Sequence, residues 1–325
     1  MIEEYFFDEI EFCECIGMFE DEYVYDIEVS DETHTFVANN ILVHNSLYTS
    51  YENLVSSIDG VEKMSQREIL NVLVNFNQKF LDKHNKEYIE DYYNKRFAKS
   101  VHEFELETIA KSGVWLNIKK RYAQILLWKD GKYFDEDSLP MKVKGLEIVQ
   151  SSTPKFAQAS LKRAVKFLLN ADSKYLIQQL NILIQEEKKK FFEADIEQIC
   201  GGVNAKNYKK YIIDDTGETL KVELKCPSSV KALGNYNWIR QKYNLPGTPI
   251  YGGKIKWYKY RVPGSNRLDY FGFQAMNYPT WANKYAPICR VTMFQHFVLN
   301  PFNRIVTAIG LPELEVDGNI QMSLF

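Results

Sequence analysis

Two histidines, an asparagine and a serine lie close together in the stretch Tyr25–Ser46, YDIEVSDETHTFVANNILVHNS. Asn45 stands between His44 and Ser46. The side-chain amide nitrogen of such an Asn can attack its own backbone carbonyl, close a succinimide and release the next residue as a new N-terminus. The amide is a weak nucleophile and the departing amine a poor leaving group, so the step needs help with proton transfer. Histidine is the side chain best suited to that work near neutral pH. His44 is adjacent to the Asn, and His34 lies upstream on a strand-like run before Phe36. Ser46 offers a hydroxyl that can take part in acyl transfer. For any one of these residues alone, the competing reading is an ordinary edge hairpin with two hydrogen-bonded histidines.

The elements around them read as an α+β multidomain chain. Ser46–Tyr51 is expected to be a short strand. Apolar residues at 69, 70, 72, 73, 76, 80 and 81 have helical spacing and predict a helix over 66–96. Residues 103–110 and 114–134 alternate as strands, with a hairpin turn at Asp130-Gly131. Ser152-Thr153-Pro154 reads as a helix start, with Thr153 as cap and Pro154 in the first turn. Helical stretches follow over 155–171 and 173–198. The region 200–275 is rich in Gly, Pro and Tyr and gives no clear period. Apolar periodicity returns near 286–310. No internal repeat is evident.

Charge divides the chain at the same point as the motif. Residues 1–45 hold thirteen Asp and Glu and no Lys or Arg, a formal charge of −13. The remainder carries all forty basic residues against thirty acidic ones, a balance of +10. An acidic segment of this kind reads either as a solvated face or as a surface seeking a basic partner. The basic remainder is compatible with a polyanion such as DNA. Cys13, Cys15, Cys200, Cys226 and Cys289 show neither CxxC spacing nor a disulfide framework, so no zinc site is expected and a reducing compartment fits. The acidic N-terminus lacks the basic start of a signal peptide, and no run is long and apolar enough to span a membrane.

Taken together, Tyr25-Asp26-Ile27-Glu28-Val29, His34-Thr35-Phe36 and Ile41-Leu42-Val43-His44-Asn45 before Ser46 resemble the C-terminal end of an intein. Thr35 and Asn40 depart from the commoner Asn and Gly of that pattern, at positions without chemistry. The resemblance implies an all-β HINT-type fold for these strands. It assigns Asn45 to succinimide formation, Ser46 to a branched ester, His44 to polarising the scissile carbonyl and His34 to proton relay. Asp26 would orient the junction or the attacking group, and splicing needs no cofactor. With so little chain before the signature, residues 1–45 are expected to be the C-terminal piece of a split intein. Its complement would lie on another polypeptide and bind by strand addition.

Beyond the junction, Ile118-Lys119-Lys120-Arg121-Tyr122-Ala123 resembles the KKRYA motif of family B DNA polymerases. Gly145-Leu146-Glu147 and Gln150-Ser151-Ser152-Thr153-Pro154-Lys155 resemble the start of the thumb in polymerases of large tailed phages, and Lys225-Cys226-Pro227 a later thumb motif. The resemblance covers most of 46–325 and is loose over 228–285. It implies the C-terminal part of a palm (antiparallel sheet plus helices) over 46–149, a mainly helical thumb over 150–319 and a tail over 320–325. Ser46-Leu47-Tyr48 matches only the end of the palm DTDS hairpin, so the Mg2+ ligands would lie mostly on the partner fragment that carries the intein N-half. Glu107 is either an acidic residue near that metal site or a solvated strand carboxylate. Lys119, Lys120, Arg121 and Tyr122 would meet primer–template DNA along its backbone and minor groove. Ser151, Ser152, Thr153 and Lys155 would meet primer phosphate at a helix N-terminus. The tail residues Gln321, Leu324 and Phe325 resemble a sliding-clamp-binding peptide, the alternative being a frayed end. DNA, dNTP, the N-terminal polymerase fragment and a clamp are then the partners, with no membrane, in the cytoplasm of an infected bacterial host. Two other readings remain: an autoprocessing module fused to a non-polymerase nucleic-acid-binding protein, and a DNA-binding protein in which His-Asn-Ser is accidental.

Overall fold

The computed structural model describes residues 50–94, 106–118, 120–171, 174–211 and 225–315, and, before residue 50, the backbone of four short strands. The chain is mixed α+β with antiparallel sheets, and it divides into two compact units, Met1–Ile109 and Ala110–Phe325. In the first unit, β1 (Cys13–Phe19) pairs with β2 (Glu22–Ile27). The register shifts between Cys15 and Met18, where β1 carries one extra residue, a bulge that sharpens the local twist. β3 (Phe36–Ala38) pairs with β4 (Ile41–Val43), with Phe36 opposite Val43 and Ala38 opposite Ile41.

The strand expected over Ser46–Tyr51 is not found in its described part. Ser50 and Tyr51 lead directly into α1 (Glu52–Ser56), and the Ser50 hydroxyl accepts from the Glu52 amide at 3.3 Å. Serine bonding to the backbone two residues on favours a turn over a ladder. The helix expected over 66–96 is present as α2 (Gln66–Phe76), a π-helical turn at Asn77–Leu81 and α3 (Asp82–Asn94). It starts at a capping box: the Glu68 amide donates to Ser65 Oγ at 3.3 Å, and the Ser65 amide donates to Glu68 Oε2 at 2.7 Å. Asn77 marks the π turn. Buried, it donates through Nδ2 to the Leu73 carbonyl at 2.8 Å and accepts from the Tyr51 hydroxyl at 2.8 Å.

In the second unit β6 (Tyr122–Lys129) is the central strand of a four-stranded sheet. It has β5 (Thr108–Trp115) on one side and both β7 (Lys132–Tyr133) and β8 (Met141–Lys144) on the other. The turn between β6 and β7 is Asp130-Gly131, at φ +46° and +82°, as a two-residue hairpin of the primed type requires. Then come α4 (Lys155–Asn170), α5 (Leu176–Glu193) and α6 (Ile196–Ile199). Arg290 donates from Nη1 to the Phe191 and Ala194 carbonyls at 2.9 and 2.8 Å, satisfying acceptors where α5 ends.

The part expected to be mainly helical also contains a second antiparallel sheet, in the order β11-β10-β9. Its strands are β9 (Gly201–Ala205), β10 (Gly253–Arg261) and β11 (Leu268–Gln274). Between β9 and β10 runs α7 (Ser228–Lys242), packed on this sheet. Gly272 permits that approach, since a Cβ there would lie 3.0 Å from the Ala232 Cβ. The chain closes with α8 (Ala282–Tyr285), α9 (Arg290–Phe294), a π turn at Gln295–Leu299 and α10 (Asn300–Ala308). The core is rich in aromatics, with Phe191, Tyr258, Phe271, Phe273, Phe294 and Phe302 fully buried. Among the described residues no helix is long and apolar enough to cross a membrane.

Candidate functional site

β5 and β6 are joined by a tight connection that carries the cations. The Leu116 amide donates to the Arg121 carbonyl at 3.0 Å and closes the loop. Lys120 sits on it, exposed, at φ +60°, a left-handed conformation that costs a β-carbon-bearing residue about 1–2 kcal/mol. The loop stays there because Gly145, just after β8, lies against it. A Cβ on Gly145, itself at φ +69°, would come within 2.2 Å of the Lys120 carbonyl oxygen and 2.9 Å of Arg121 Cγ.

From Gly145 a chain of side-chain amides runs to the start of α4. Gln150 Nε2 donates to the Gly145 carbonyl at 3.1 Å. Gln158 Nε2 donates to the Gln150 carbonyl at 2.7 Å and to that of Thr153 at 3.3 Å. The Thr153 amide donates to the Gln150 carbonyl at 3.1 Å, and the Gly202 amide to the Ser152 carbonyl at 3.0 Å. The loop at 116–121 and the turn at 150–154 are therefore parts of one braced structure. Beside it lies an open groove of about 580 Å3, floored by Met141, Val143, Ile148 and Val149 and edged by Lys155 and Lys162. Lys155 opens α4, whose first-turn amides have no intrahelical acceptor and favour an anion.

The structure thus brings Lys120, Arg121, Ser151, Ser152 and Lys155 onto one braced framework, with Ser151, Ser152 and Lys155 exposed. Lys119 lies outside the described residues. Two expectations need correction. Tyr122 is only 7% exposed and belongs to the buried run Tyr122–Leu126 of β6, so it offers little surface to a nucleotide. Lys142 Nζ lies 5.8 Å from the centroid of its ring instead. Thr153 does not cap α4: Pro154 is at the cap position without a side-chain hydrogen bond, and Thr153 is buried. The sequence reading passed over Gln150 and Gln158 as braces, and over Lys162. Lys162 stands two turns after Lys155 on the same helix face, a spacing that was readable.

No protein-family model and no curated protein matches this chain. Function therefore rests on the residues themselves. Of the intein-like set, Asp26 is on β2, opposite Glu14 of β1. His34, His44, Asn45 and Ser46 lie outside the described residues, as do Gln321, Leu324 and Phe325. In the antiparallel pairing of β3 with β4, Phe36 and Val43 are cross-strand partners. Glu107 is exposed. Among the described residues no group of three or more His, Cys, Asp and Glu side chains could hold a metal ion. Cys200 is a buried free thiol, pushed far up by its burial and thus unsuited to nucleophilic chemistry.

Proposed function

We propose that this chain is the C-terminal part of a split family B DNA polymerase, carried behind the C-terminal piece of a trans-splicing intein. One observation carries the reading: the ordered run from Asp26 through His34 to His44-Asn45-Ser46 ends where the charge of the chain changes sign. In this reading Ser46 Oγ takes over the acyl group of the upstream protein part, forming a branched ester. Asn45 Nδ2 then attacks its own carbonyl, the Asn45–Ser46 bond breaks, and the freed Ser46 amine receives the acyl group as an amide. Protons pass through His44 and His34, and every bond broken is matched by one formed.

The second unit supplies the DNA-contacting surface. Lys120, Lys155 and Lys162 are exposed cations on or beside one braced framework, suited to phosphates along a duplex. The long helix of the first unit adds support for a missing partner. Val72, Phe80 and Tyr88 are exposed at 37%, 48% and 73%, large apolar side chains left at the surface along this run. Mg2+ would be held mainly by carboxylates of the partner fragment and would supply Lewis-acid chemistry for nucleotidyl transfer after splicing. The surroundings of that site are the cytoplasm of an infected cell, and the tail at 320–325 would engage a sliding clamp.

The test is intact-mass analysis of the chain mixed with the fragment encoded by its neighbouring reading frame. Wild type should yield a ligated product, together with a released intein piece. Asn45→Ala should stop at a branched or N-terminally cleaved species. Ser46→Ala should cleave at Asn45 without ligation. Full ligation by Asn45→Ala would remove the assignment. Cleavage at Asn45 with no partner that ligates would favour the self-cleaving module instead.

A further inference from the structure

At the end of α7, remote in sequence from the lysine loop and the α4 turn, aromatic rings and lysines alternate on the surface. The Tyr243 and Tyr285 rings stack with centroids 4.4 Å apart and an interplanar angle of 29°. Lys242 Nζ lies 4.5 Å from the Trp238 ring centroid and 5.3 Å from that of Tyr243, and Lys284 Nζ lies 5.2 Å from that of Tyr285. Both lysines are exposed, Tyr243 is 45% exposed, and Trp238 and Tyr285 are half-buried. Trp238 and Tyr285 pack against the core, whereas Tyr243 stands outside it at the surface.

The platform is also rigid. Helix α7 ends in a Schellman motif: the Leu245 amide donates to the Arg240 carbonyl at 2.8 Å and the Asn244 amide to that of Gln241 at 3.1 Å, with Asn244 at φ +47°. Tyr243 is the C-cap residue of that motif. Behind it, Trp281 Nε1 donates to the Pro246 carbonyl at 3.2 Å and fixes the chain that leads into α8. Backbone on both sides is set before any ligand arrives, so little ordering cost is left for binding.

We propose that Lys242, Tyr243, Lys284 and Tyr285, with Trp238, form a stacking site for an unpaired base of a single-stranded polynucleotide. An aromatic face receives the base and the flanking ammonium groups take the neighbouring phosphates, a combination that binds single strands with little sequence preference. The charge argues for a nucleic acid over an acidic peptide only together with the rings, because a peptide carboxylate gains nothing from a stacked tyrosine pair. The inference stands apart from the polymerase reading: it needs neither splicing nor a duplex surface.

The experiment is fluorescence anisotropy of a labelled oligothymidylate titrated with the full chain. Tyr243→Ala should weaken binding about tenfold, the loss of one stacked base. Tyr243→Phe should remain within about twofold of wild type, since stacking needs the ring and not the hydroxyl. An abasic oligomer of the same length should bind wild type about as weakly as oligothymidylate binds Tyr243→Ala. Lys120→Ala with Lys155→Ala should leave the single-strand affinity within about twofold of wild type while weakening duplex binding. Equal affinity for the abasic and base-bearing oligomers would overturn the proposal. So would an unchanged Tyr243→Ala, or displacement by oligoglutamate as efficient as by oligothymidylate. If Tyr243→Ala melts early, the abasic comparison on wild type decides the matter alone.

Discussion

Lys120 and Gly145 both lie in the left-handed region, yet substituting them should have opposite consequences. At Lys120, φ +60° already strains a residue with a β-carbon. Lys120→Gly relieves that strain and should leave the melting temperature unchanged or raise it slightly. In the proposed DNA-binding reading it also removes a phosphate contact, so duplex affinity should fall alike for all sequences, and the slope of log affinity against log salt should become shallower by about one. At Gly145 a methyl would meet the Lys120 carbonyl at 2.2 Å, a backbone atom that cannot swing aside. Gly145→Ala should therefore cost about 1–2 kcal/mol in backbone strain and about 1–3 kcal/mol in overpacking. Calorimetry would read this as a drop of several degrees, since about 1 kcal/mol shifts a unit of this size by roughly 2–4 °C. Duplex affinity should fall as well, although no charge has changed. Unaltered DNA binding in a destabilised Gly145→Ala would show that the loop conformation does not matter to the interface.

Between helices, the decisive contact is polar. Glu187 of α5 is fully buried and meets three groups: Ser160 Oγ donates to it at 2.6 Å, Arg163 Nη2 at 2.5 Å and Lys190 Nζ at 3.2 Å. Burial pushes its carboxyl up, but the hydrogen bonds from Arg163, Ser160 and Lys190 and the Arg163 charge outweigh this and hold it below the ordinary 4.5. A carboxylate with a lowered folded-state value stabilises fully above its unfolded value. That contribution is lost as pH falls through the folded one. Wild-type melting temperature should thus fall between about pH 5 and pH 3 by more than that of Glu187→Gln, whose side chain does not titrate. Glu187→Ala should cost about 3 kcal/mol at neutral pH, because it strands a buried serine and part of an arginine. Parallel pH curves for wild type and Glu187→Gln would show that the pair is not coupled to folding. This pair was not legible in the sequence, where Glu187 is one of a charged run, EEKKK. The helical run that starts at α2 was legible from the spacing of its apolar residues, although of these Leu70 and Leu73 are buried while Val72 and Phe80 are exposed, and so was the Asp130-Gly131 turn, because its residues are those that tolerate positive φ. The π turn at Asn77 was not, and neither was the bond that Asn77 accepts from the Tyr51 hydroxyl, twenty-six positions away. The cations of the site could be read by type. Their bracing could not, because Gln158 looks like any helix-surface glutamine until its Gln150 acceptor is in place. Tyr122 and Thr153 were misjudged for one reason: a motif shows which residues recur together, not which of them face inward.

At the scale of the whole molecule the main asymmetry is charge. The first 45 residues carry −13 with no basic side chain, and the remainder carries +10. In the splicing reading, the acidic piece must find a complement that is basic where they meet. A field of one sign focuses on its target and raises the encounter rate by about 10- to 1000-fold at low salt. Screening shortens its reach from about 30 Å at 0.01 M ionic strength to about 8 Å at 0.15 M. Stopped-flow mixing of this chain with its complementary fragment should therefore give an association rate at least about tenfold higher at 0.01 M than at 0.15 M salt. Dissociation should change much less, because strand pairing and apolar contacts hold the assembled sheet. Glu3→Gln with Glu4→Gln, Asp8→Asn and Glu9→Gln removes four of the thirteen charges and no residue of the splicing chemistry. That variant should associate more slowly at low salt, converge with wild type at high salt, and splice at the same rate once the fragments are assembled. Association rates equal at both salt concentrations would show that the acidic run is a solvated face with no part in finding its partner.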